Sequence, residues 1–211
     1  MRTEIPSGKQ PCECAKPAHA ARLVVITGGP GAGKTAVLEL LRVMLCRHVA
    51  VLPEAASILF VGGFPRGESI HARKAVQRSI VRVQRELERL ALEEGNHGVV
   101  LCDRGTLDGL AYWPDDERSF FADTVGSREE ELARYAAVVH LAVPLAGEGY
   151  NQHNPVRTET ADEAARIDER IAAAWRDHPR RHYISSHPAF VDKARAAVEV
   201  VRAELPECCR S

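Results

Sequence analysis

Residues 23–35 decide the fold of this chain, and they read LVVITGGPGAGKT. The first five form a short apolar run rich in β-branched side chains, which is typical of a strand buried on both faces. The others fit the pattern G-x-x-x-x-G-K-[ST] without a mismatch, and a helical pattern follows them directly. The residues expected to bind nucleotide phosphates are Gly28, Gly29, Pro30, Gly31, Ala32, Gly33, Lys34 and Thr35.

The residue types of this loop suit the chemistry of a phosphate group. Glycine lets consecutive backbone N–H groups turn towards an anion, and the N-terminus of the next helix adds partial positive charge. Lys34 is expected to bridge the β- and γ-phosphates, and Thr35 to bind Mg²⁺. The alternative, a glycine-rich turn that contains Lys-Thr by chance, is disfavoured because only five of the 28 basic residues are lysines. We therefore expect Mg²⁺ with ATP, and GTP as the alternative nucleotide.

Apolar runs and helical periodicity alternate along the rest of the chain. Further strands are predicted at 49–52, 98–102, 137–143 and 182–185. Helices are predicted at 36–47, 68–94, 128–135, 161–177 and 188–205. This alternation predicts a three-layer α/β fold, with helices on both faces of a five-stranded parallel sheet. We expect one domain, residues 22–205, between a disordered leader, residues 1–21, and a tail, residues 206–211.

The helix predicted at 68–94 carries an apolar stripe at helical spacing. This stripe is wide enough to face either the core or a partner in a homodimer. Its members are Val76, Ile80, Val83, Leu87 and Leu90.

An aspartate and an arginine, Asp103 and Arg104, follow the predicted third strand. An aspartate at this place in a phosphate-loop protein holds Mg²⁺, so Asp103 and Thr35 are the expected metal ligands. The alternative is an aspartate that only caps a helix. Motor ATPases usually place a second acidic residue here, whereas Asp-Arg resembles the thymidylate and nucleoside kinases. Arg66 and Arg104 are therefore predicted to bind a phosphoryl acceptor.

Two further charged residues are candidates for catalysis together with Lys34 and Asp103. Glu54 stands just after the second strand, where a carboxylate can take a proton from an acceptor hydroxyl. The alternative is a glutamate that favours the dipole of a helix N-terminus. Arg157 lies in a candidate lid and could neutralise charge on the transferred phosphoryl group, or it could be an ordinary surface arginine.

Several sequence blocks, taken in their order, resemble a known family. Besides the phosphate loop they are Pro-Glu-Ala-Ala at 53–56, Cys-Asp-Arg-Gly at 102–105 and Asn-Pro-Val-Arg at 154–157. They resemble the small P-loop domains classed as AAA domains, which are similar to the NadR kinase domain and to thymidylate-type kinases. The resemblance covers residues 22–205 and implies nucleotide binding and the strand order 2-3-1-4-5. Relatives often carry arginine directly after Pro-Glu-Ala-Ala, where this chain has Ser57.

Composition excludes some classes of protein. The formal net charge is -1, which gives no basic excess to bind nucleic acid or an anionic membrane. The longest apolar run, 136–146, is too short to span a bilayer, and the first 22 residues lack the apolar segment of a secretory signal. The six cysteines match no zinc-binding spacing. A reduced cytoplasmic protein is expected, with Cys46 and Cys102 packed as small apolar residues.

Three functions are compatible with these features. The favoured one is an ATP-dependent phosphotransferase, or kinase, that acts on a small nucleoside- or nucleotide-like acceptor. The second is an NTPase switch, which lacks support because no Asn-Lys-x-Asp sequence is present to read guanine. The third is a nucleotide-dependent binding module with little turnover.

Overall fold

A single parallel sheet forms the centre of the computed structural model, which describes residues 19–124, 126–144, 160–186 and 189–210. Its strands are β1 (Arg22–Thr27), β2 (Val49–Leu52), β3 (Val99–Asp103), β4 (Tyr135–Leu141) and β5 (Arg181–Ile184). They lie in the order β2-β3-β1-β4-β5, and every neighbouring pair is parallel. The expected five-stranded sheet and its order 2-3-1-4-5 are confirmed.

Helices cover both faces of this sheet. In the described ranges they are α1 (Lys34–Met44), α2 (Ala55–Val61), α3 (Ile70–Glu94), α4 (Glu117–Asp123), α5 (Arg128–Ala133), α6 (Ala161–Ala174) and α7 (Phe190–Glu204). Short 3₁₀ helices span Thr106–Ala111 and Glu207–Cys209. Among the described residues, no helix is long and apolar enough to cross a membrane.

The central strand β1 divides the apolar core into two layers because alternate side chains point to opposite faces. Val24 and Ile26 belong to the layer that α1 and α7 cover. Leu23 and Val25 belong to the layer formed with α3, α6 and the first 3₁₀ helix. All four side chains are buried, as expected for a central strand of a parallel sheet. The expected burial of Cys46 and Cys102 in these layers is confirmed.

The buried face of α3 differs from the apolar stripe that the sequence predicts. Leu90 is 54% exposed, and Val76, Ile80, Val83 and Leu87 are only partly buried. The buried face is turned by about one position and consists of Gln77, Val81, Gln84, Glu88 and Ala91. Its polar members are buried because α3 packs over polar and charged side chains as well as over apolar ones, which periodicity alone does not reveal.

Two further boundaries differ from the sequence prediction. The helix predicted at 128–135 ends at Ala133, and β4 begins at Tyr135 because that residue is fixed by tertiary contacts. The Tyr135 hydroxyl donates to Glu88 Oε1 at 2.9 Å, and its ring lies 5.3 Å from that of Trp175. Part of the predicted tail is packed rather than loose, since Cys209 is 6% exposed. Most of the predicted leader lies outside the described residues.

Two fully buried carboxylates, those of Glu88 and Glu131, connect α3 to α5 and β4. Arg134 forms ion pairs with both of them. Gln84 Nε2 donates to Glu88 Oε1 at 2.8 Å, and Arg85 pairs with Glu131 at 2.6 Å. A buried charge is tolerated when it is paired and hydrogen-bonded in this way. The network therefore holds α3 over the sheet in one orientation.

We expect Arg134→Ala to lower the free energy of unfolding by about 3 kcal/mol, because it removes a shared partner of two buried carboxylates. Urea denaturation measures this change. Arg89→Ala is the matched control, since Arg89 pairs with Glu86 on the exposed side of α3. Its urea midpoint should stay close to wild type. Equal effects of the two substitutions would mean that the network does not fix α3.

Candidate active site

The loop between β1 and α1 has three glycines with positive φ, Gly28, Gly31 and Gly33. Gly28 has φ 137° and Gly33 has φ 90°, in the region that side chains rarely adopt. A Cβ on Gly28 would lie 2.1 Å from the carbonyl oxygen of Leu141 on β4. The loop therefore lies directly against β4, and its last glycine leads into α1 at Lys34.

Side chains from α6 and α7 hold this loop from behind. Asp168 accepts hydrogen bonds from the Gly29 N–H at 2.6 Å and the Val143 N–H at 3.3 Å, and its Oδ1 lies 2.9 Å from His140 Nε2. Burial alone would raise the pKa of Asp168, but the contact with His140 and these N–H donors lower it below its usual value. Lys193 donates to the Ala32 carbonyl at 2.8 Å and also to that of Ala142.

Lys34 is buried beneath the loop that it terminates. Its Nζ donates to the carbonyl oxygens of Gly28 at 2.9 Å and Gly29 at 3.0 Å. Burial, followed by the nearby positive charge of Arg104, lowers the pKa of Lys34 to about 7. An anion bound in the loop would restore the preference for the charged ammonium group. The ammonium group is therefore held in a place that favours binding of a negative ligand.

Asp103 ends β3 beside the loop because β1 pairs Ile26 with it. Its Oδ1 is buried, and no donor from the described parts of the chain lies within hydrogen-bonding distance. Burial raises the pKa of Asp103 to about 6, an effect that Lys34 only partly offsets. A buried carboxylate oxygen without a hydrogen-bond donor can serve as a ligand for a cation. Thr35 begins α1 nearby and lines the same cavity.

Arg104, a candidate acceptor-binding residue, contacts Glu54 and Asp108 and has an unusual backbone conformation. Its φ is 73°, and its N–H donates to the Ile26 carbonyl at 3.1 Å. The guanidinium donates from Nε to Glu54 at 2.7 Å and lies 3.4 Å from Asp108. A non-glycine residue in the left-handed backbone conformation is strained, and such strain persists only where surrounding contacts fix the residue. These contacts orient the guanidinium towards the phosphate loop, where its Nη1 lies 3.4 Å from the Gly28 carbonyl oxygen.

Glu54 is fixed by two partners at the start of α2. Besides Arg104, the Ser57 hydroxyl donates to Glu54 Oε2 at 2.6 Å. Burial would raise the pKa of Glu54, but Arg104 and Ser57 together lower it below its usual value. Ser57, the residue that departs from the family pattern, therefore keeps the Glu54 carboxylate ionised and oriented.

A cavity of about 530 Å³ joins these groups and extends from the loop towards α2 and α3. The predicted site residues that line it are Pro30, Gly31, Lys34, Thr35, Glu54, Arg66, Asp103 and Arg104. Arg66 lies at the exposed rim, with its guanidinium 3.9 Å from the centre of the Phe60 ring. Arg157 lies outside the described residues.

Sequence reasoning missed three supporting residues, Asp108, Asp168 and Lys193. Asp108 is 3% exposed, accepts from Thr27 Oγ1 at 2.7 Å and from Trp175 Nε1 at 2.6 Å, and faces Arg104. The scarcity of lysine in the chain was a usable signal for Lys193. Asp168 carries no local sequence signal, since its partners lie far away in the chain, whereas Asp108 pairs with Arg104 four positions earlier as well as with the distant Thr27 and Trp175.

The chain also matches known proteins in family and fold. The family model described as AAA domain matches residues 23–189, which is most of the chain. No curated protein matches the chain at a significant level.

Solved structures share the fold at low sequence identity. Thymidylate kinase from Ehrlichia chaffeensis is 13% identical with a TM-score of 0.54, over 86% of this chain and 99% of that chain. NadR in complex with NR is 13% identical with a TM-score of 0.65, over 89% and 52%. Thymidylate kinase from Candida albicans is 14% identical with a TM-score of 0.59, over 87% and 92%. The chain thus has a P-loop kinase-like fold and spans about half of NadR.

We expect Asp103→Asn to stabilise the protein without ligand or metal. A charged Asp103 destabilises the folded state because its folded pKa, about 6, lies above the ordinary pKa of an aspartate, about 3.9. The free energy of unfolding should rise by about 1–2 kcal/mol at pH 8. The gain should shrink as pH falls through 6 and vanish only near about pH 3, where wild-type Asp103 is protonated in both states. Urea denaturation in chelator at several pH values tests this, and a pH-independent difference would contradict it.

Proposed function

The chain belongs to the P-loop family described as AAA domain, and from this premise we propose that it is a Mg²⁺-dependent phosphotransferase. It transfers the γ-phosphoryl group of ATP to a small nucleoside- or nucleotide-like acceptor. The observation that carries the proposal is the extent of the cavity, which continues from the phosphate loop to α2 and α3, and we call the part lined by these two helices the second chamber. A nucleotide switch has no need of such a chamber.

The donor nucleotide binds at the loop in this proposal. Backbone N–H groups of residues 31–35 surround its phosphates, since Pro30 has no N–H and the Gly29 N–H donates to Asp168, and the N-terminus of α1 adds partial positive charge. Lys34 exchanges its contacts with the Gly28 and Gly29 carbonyls for contacts with phosphate oxygens. The depressed pKa of Lys34 then returns towards its usual value, so the bound phosphates hold the lysine charged.

The residues present fit a magnesium ion. Asp103 supplies a buried carboxylate oxygen that lacks a donor from the described residues, and Thr35 supplies a hydroxyl. Hard oxygen ligands of this kind, completed by phosphate oxygens and water, are the set that Mg²⁺ prefers. When bound, Mg²⁺ neutralises charge on the β- and γ-phosphates.

The acceptor binds in the second chamber in this proposal. Arg104 faces the chamber from the loop side and Arg66 from its rim, so both can contact a phosphate of the acceptor. Gln77 and Gln84 of α3 present amide groups, which can donate to and accept from the edge of a heterocyclic base. This mixture of arginine and amide groups supports a nucleoside- or nucleotide-like acceptor.

Glu54 is the residue that orients and activates the acceptor hydroxyl in this proposal. Its carboxylate is ionised and fixed by Arg104 and Ser57, so it can accept a hydrogen bond from the hydroxyl. Its lowered pKa makes it a weak base, which suits a loose transition state in which the proton leaves late. Arg157 stays a prediction for neutralising charge on the transferred group.

We expect Mg²⁺ with ATP at about 100 times its dissociation constant to add about 2.7 kcal/mol of stability. That corresponds to a rise of about 5–10 °C in Tm, measured by thermal denaturation. Lys34→Ala should lose most of this rise because the phosphates lose their cation. Lys74→Ala is the matched control, since Lys74 pairs with Asp115 outside the cavity. A Tm that neither ATP nor GTP changes at millimolar concentration would refute nucleotide binding.

A panel of nucleosides, nucleotides and sugars with γ-labelled ATP identifies the acceptor, and Glu54→Gln then tests catalysis. We expect the variant to keep nucleotide binding but to lose at least about tenfold in acceptor-dependent kcat. Glu39→Gln, on the exposed face of α1, is the matched control and should keep the wild-type rate. Wild-type turnover by Glu54→Gln would leave Glu54 as a helix-start residue. Nucleotide binding without any acceptor in the panel would instead favour a binding module.

A further inference from the structure

Two histidines and two cysteines meet at the amino ends of the strands, at the edge of the sheet opposite the phosphate loop. His19 precedes β1, His48 directly precedes β2, and Cys208 and Cys209 lie in the 3₁₀ helix that follows α7. We call these four residues the Cys/His cluster. His48 is 3% exposed and Cys209 is 6% exposed, so the cluster is largely removed from water.

Several ligand atoms of the Cys/His cluster lie within about 4 Å of one another. Cys209 Sγ is 3.3 Å from His48 Nδ1 and 3.9 Å from His19 Nε2. Cys208 Sγ is 4.0 Å from both Cys209 Sγ and His19 Nε2. One ligand atom each from His19, His48 and Cys209 all lie within 4.8 Å of one another. Tetrahedral zinc with two sulfur and two nitrogen ligands requires separations of about 3.3–3.8 Å.

We propose that His19, His48, Cys208 and Cys209 bind one Zn²⁺ ion in a structural site. The two thiolates and two imidazoles form a soft N₂S₂ set, which selects zinc over the Mg²⁺ used at oxygen-ligand sites. The ligand atoms of His19, His48 and Cys209 would have to contract to tetrahedral separations, and Cys208 Sγ, which is not among the atoms within 4.8 Å of His48, would also have to turn towards the ion. Four protein ligands leave no open position, so the ion holds the fold and takes no part in catalysis.

The surrounding backbone already brings the chain segments of the site together. The His48 carbonyl accepts from the Gly98 N–H at 2.8 Å and from the Val99 N–H at 3.2 Å, which fixes His48 at the starts of β2 and β3. A Cβ on Gly98 would lie 2.7 Å from Pro206, so the segment that carries Cys208 and Cys209 packs closely on β3. Zinc there would fasten both ends of the domain to the sheet.

The long separations between ligands explain why no spacing motif reveals this site. Zinc motifs are recognised by cysteines and histidines a few residues apart. Here Cys209 and His48, whose ligand atoms are 3.3 Å apart, are separated by 161 positions in the chain, and only the fold brings them together. Cys46 Sγ lies 4.0 Å from one member of the cluster, His48, whereas Cys208 Sγ lies 4.0 Å from two of them, so Cys46 is not assigned as a ligand.

The test is the metal content of the full chain, purified without a polyhistidine tag and incubated with Zn²⁺ before dialysis. Elemental mass spectrometry should find about one zinc per chain. Cys209→Ser and His19→Ala should each reduce zinc affinity at least about tenfold. His19 lies before β1 and is only partly buried, so its substitution is expected to leave folding intact. Cys102→Ala and Cys46→Ala are the matched controls and should keep their zinc.

Cobalt supplies a readout of geometry that folding defects do not imitate. The Co²⁺ form of the wild-type chain should show thiolate charge-transfer bands and the intense visible bands of tetrahedral cobalt, and Cys209→Ser should lose part of both. Chelation should lower Tm by about 5 °C or more, and added Zn²⁺ should restore it. The increase in Tm caused by Mg²⁺ and ATP should be the same with and without zinc, because the two sites lie at opposite edges.

Three results would overturn the proposal. One is a wild-type chain that keeps no zinc after incubation and dialysis. Another is equal zinc content in wild type, Cys209→Ser and His19→Ala, which indicates adventitious surface binding. The third is loss of zinc in Cys46→Ala, which contradicts the four assigned ligands. None of these results depends on nucleotide binding, so the zinc site and the proposed phosphotransferase stand or fall separately.

Discussion

The close contact between Gly28 and β4 is the constraint on which the candidate active site depends. Because a Cβ would lie 2.1 Å from the Leu141 carbonyl oxygen, the loop can pass this strand only with glycine at that position. The contact fixes where the loop begins, and Asp168 and Lys193 then fix its backbone from α6 and α7. The pairing of Ile26 with Asp103 places the carboxylate beside the loop. The site geometry thus follows from the register of the central strands.

The pKa values of two charged groups in the site are shifted in directions that a bound ligand would reverse. Burial lowers the pKa of Lys34 to about 7 and raises that of Asp103 to about 6. Both shifts oppose the charged form, and both would be reversed by a bound phosphate and its cation. Glu54 and Arg104 differ, since each already neutralises the other. The charges of Lys34 and Asp103 are therefore only partly offset, whereas Glu54 and Arg104 form an ion pair.

The two edges of the sheet hold different groups of residues. The carboxyl ends of β1 and β3 hold the loop, Lys34 and Asp103, as expected for ligand binding in parallel α/β sheets. The amino ends of the strands hold the Cys/His cluster and the packed segment after α7. A structural site at this edge can fasten the chain without disturbing the chemistry at the other. Strain at Arg104, by contrast, is confined to the functional edge.

The sequence by itself determined the phosphate loop and the positions of Glu54 and Asp103 at strand ends, because each depends on a local pattern, and the strand order followed from the family resemblance. Only the tertiary structure decided which face of α3 is buried, since buried partners such as Arg134 make Glu88 a core residue. It also decided the roles of Asp168 and Cys209, whose contacts join residues 139 and 161 positions apart. Such contacts leave no periodic or spacing signal, because they exist only after the strands and helices have packed.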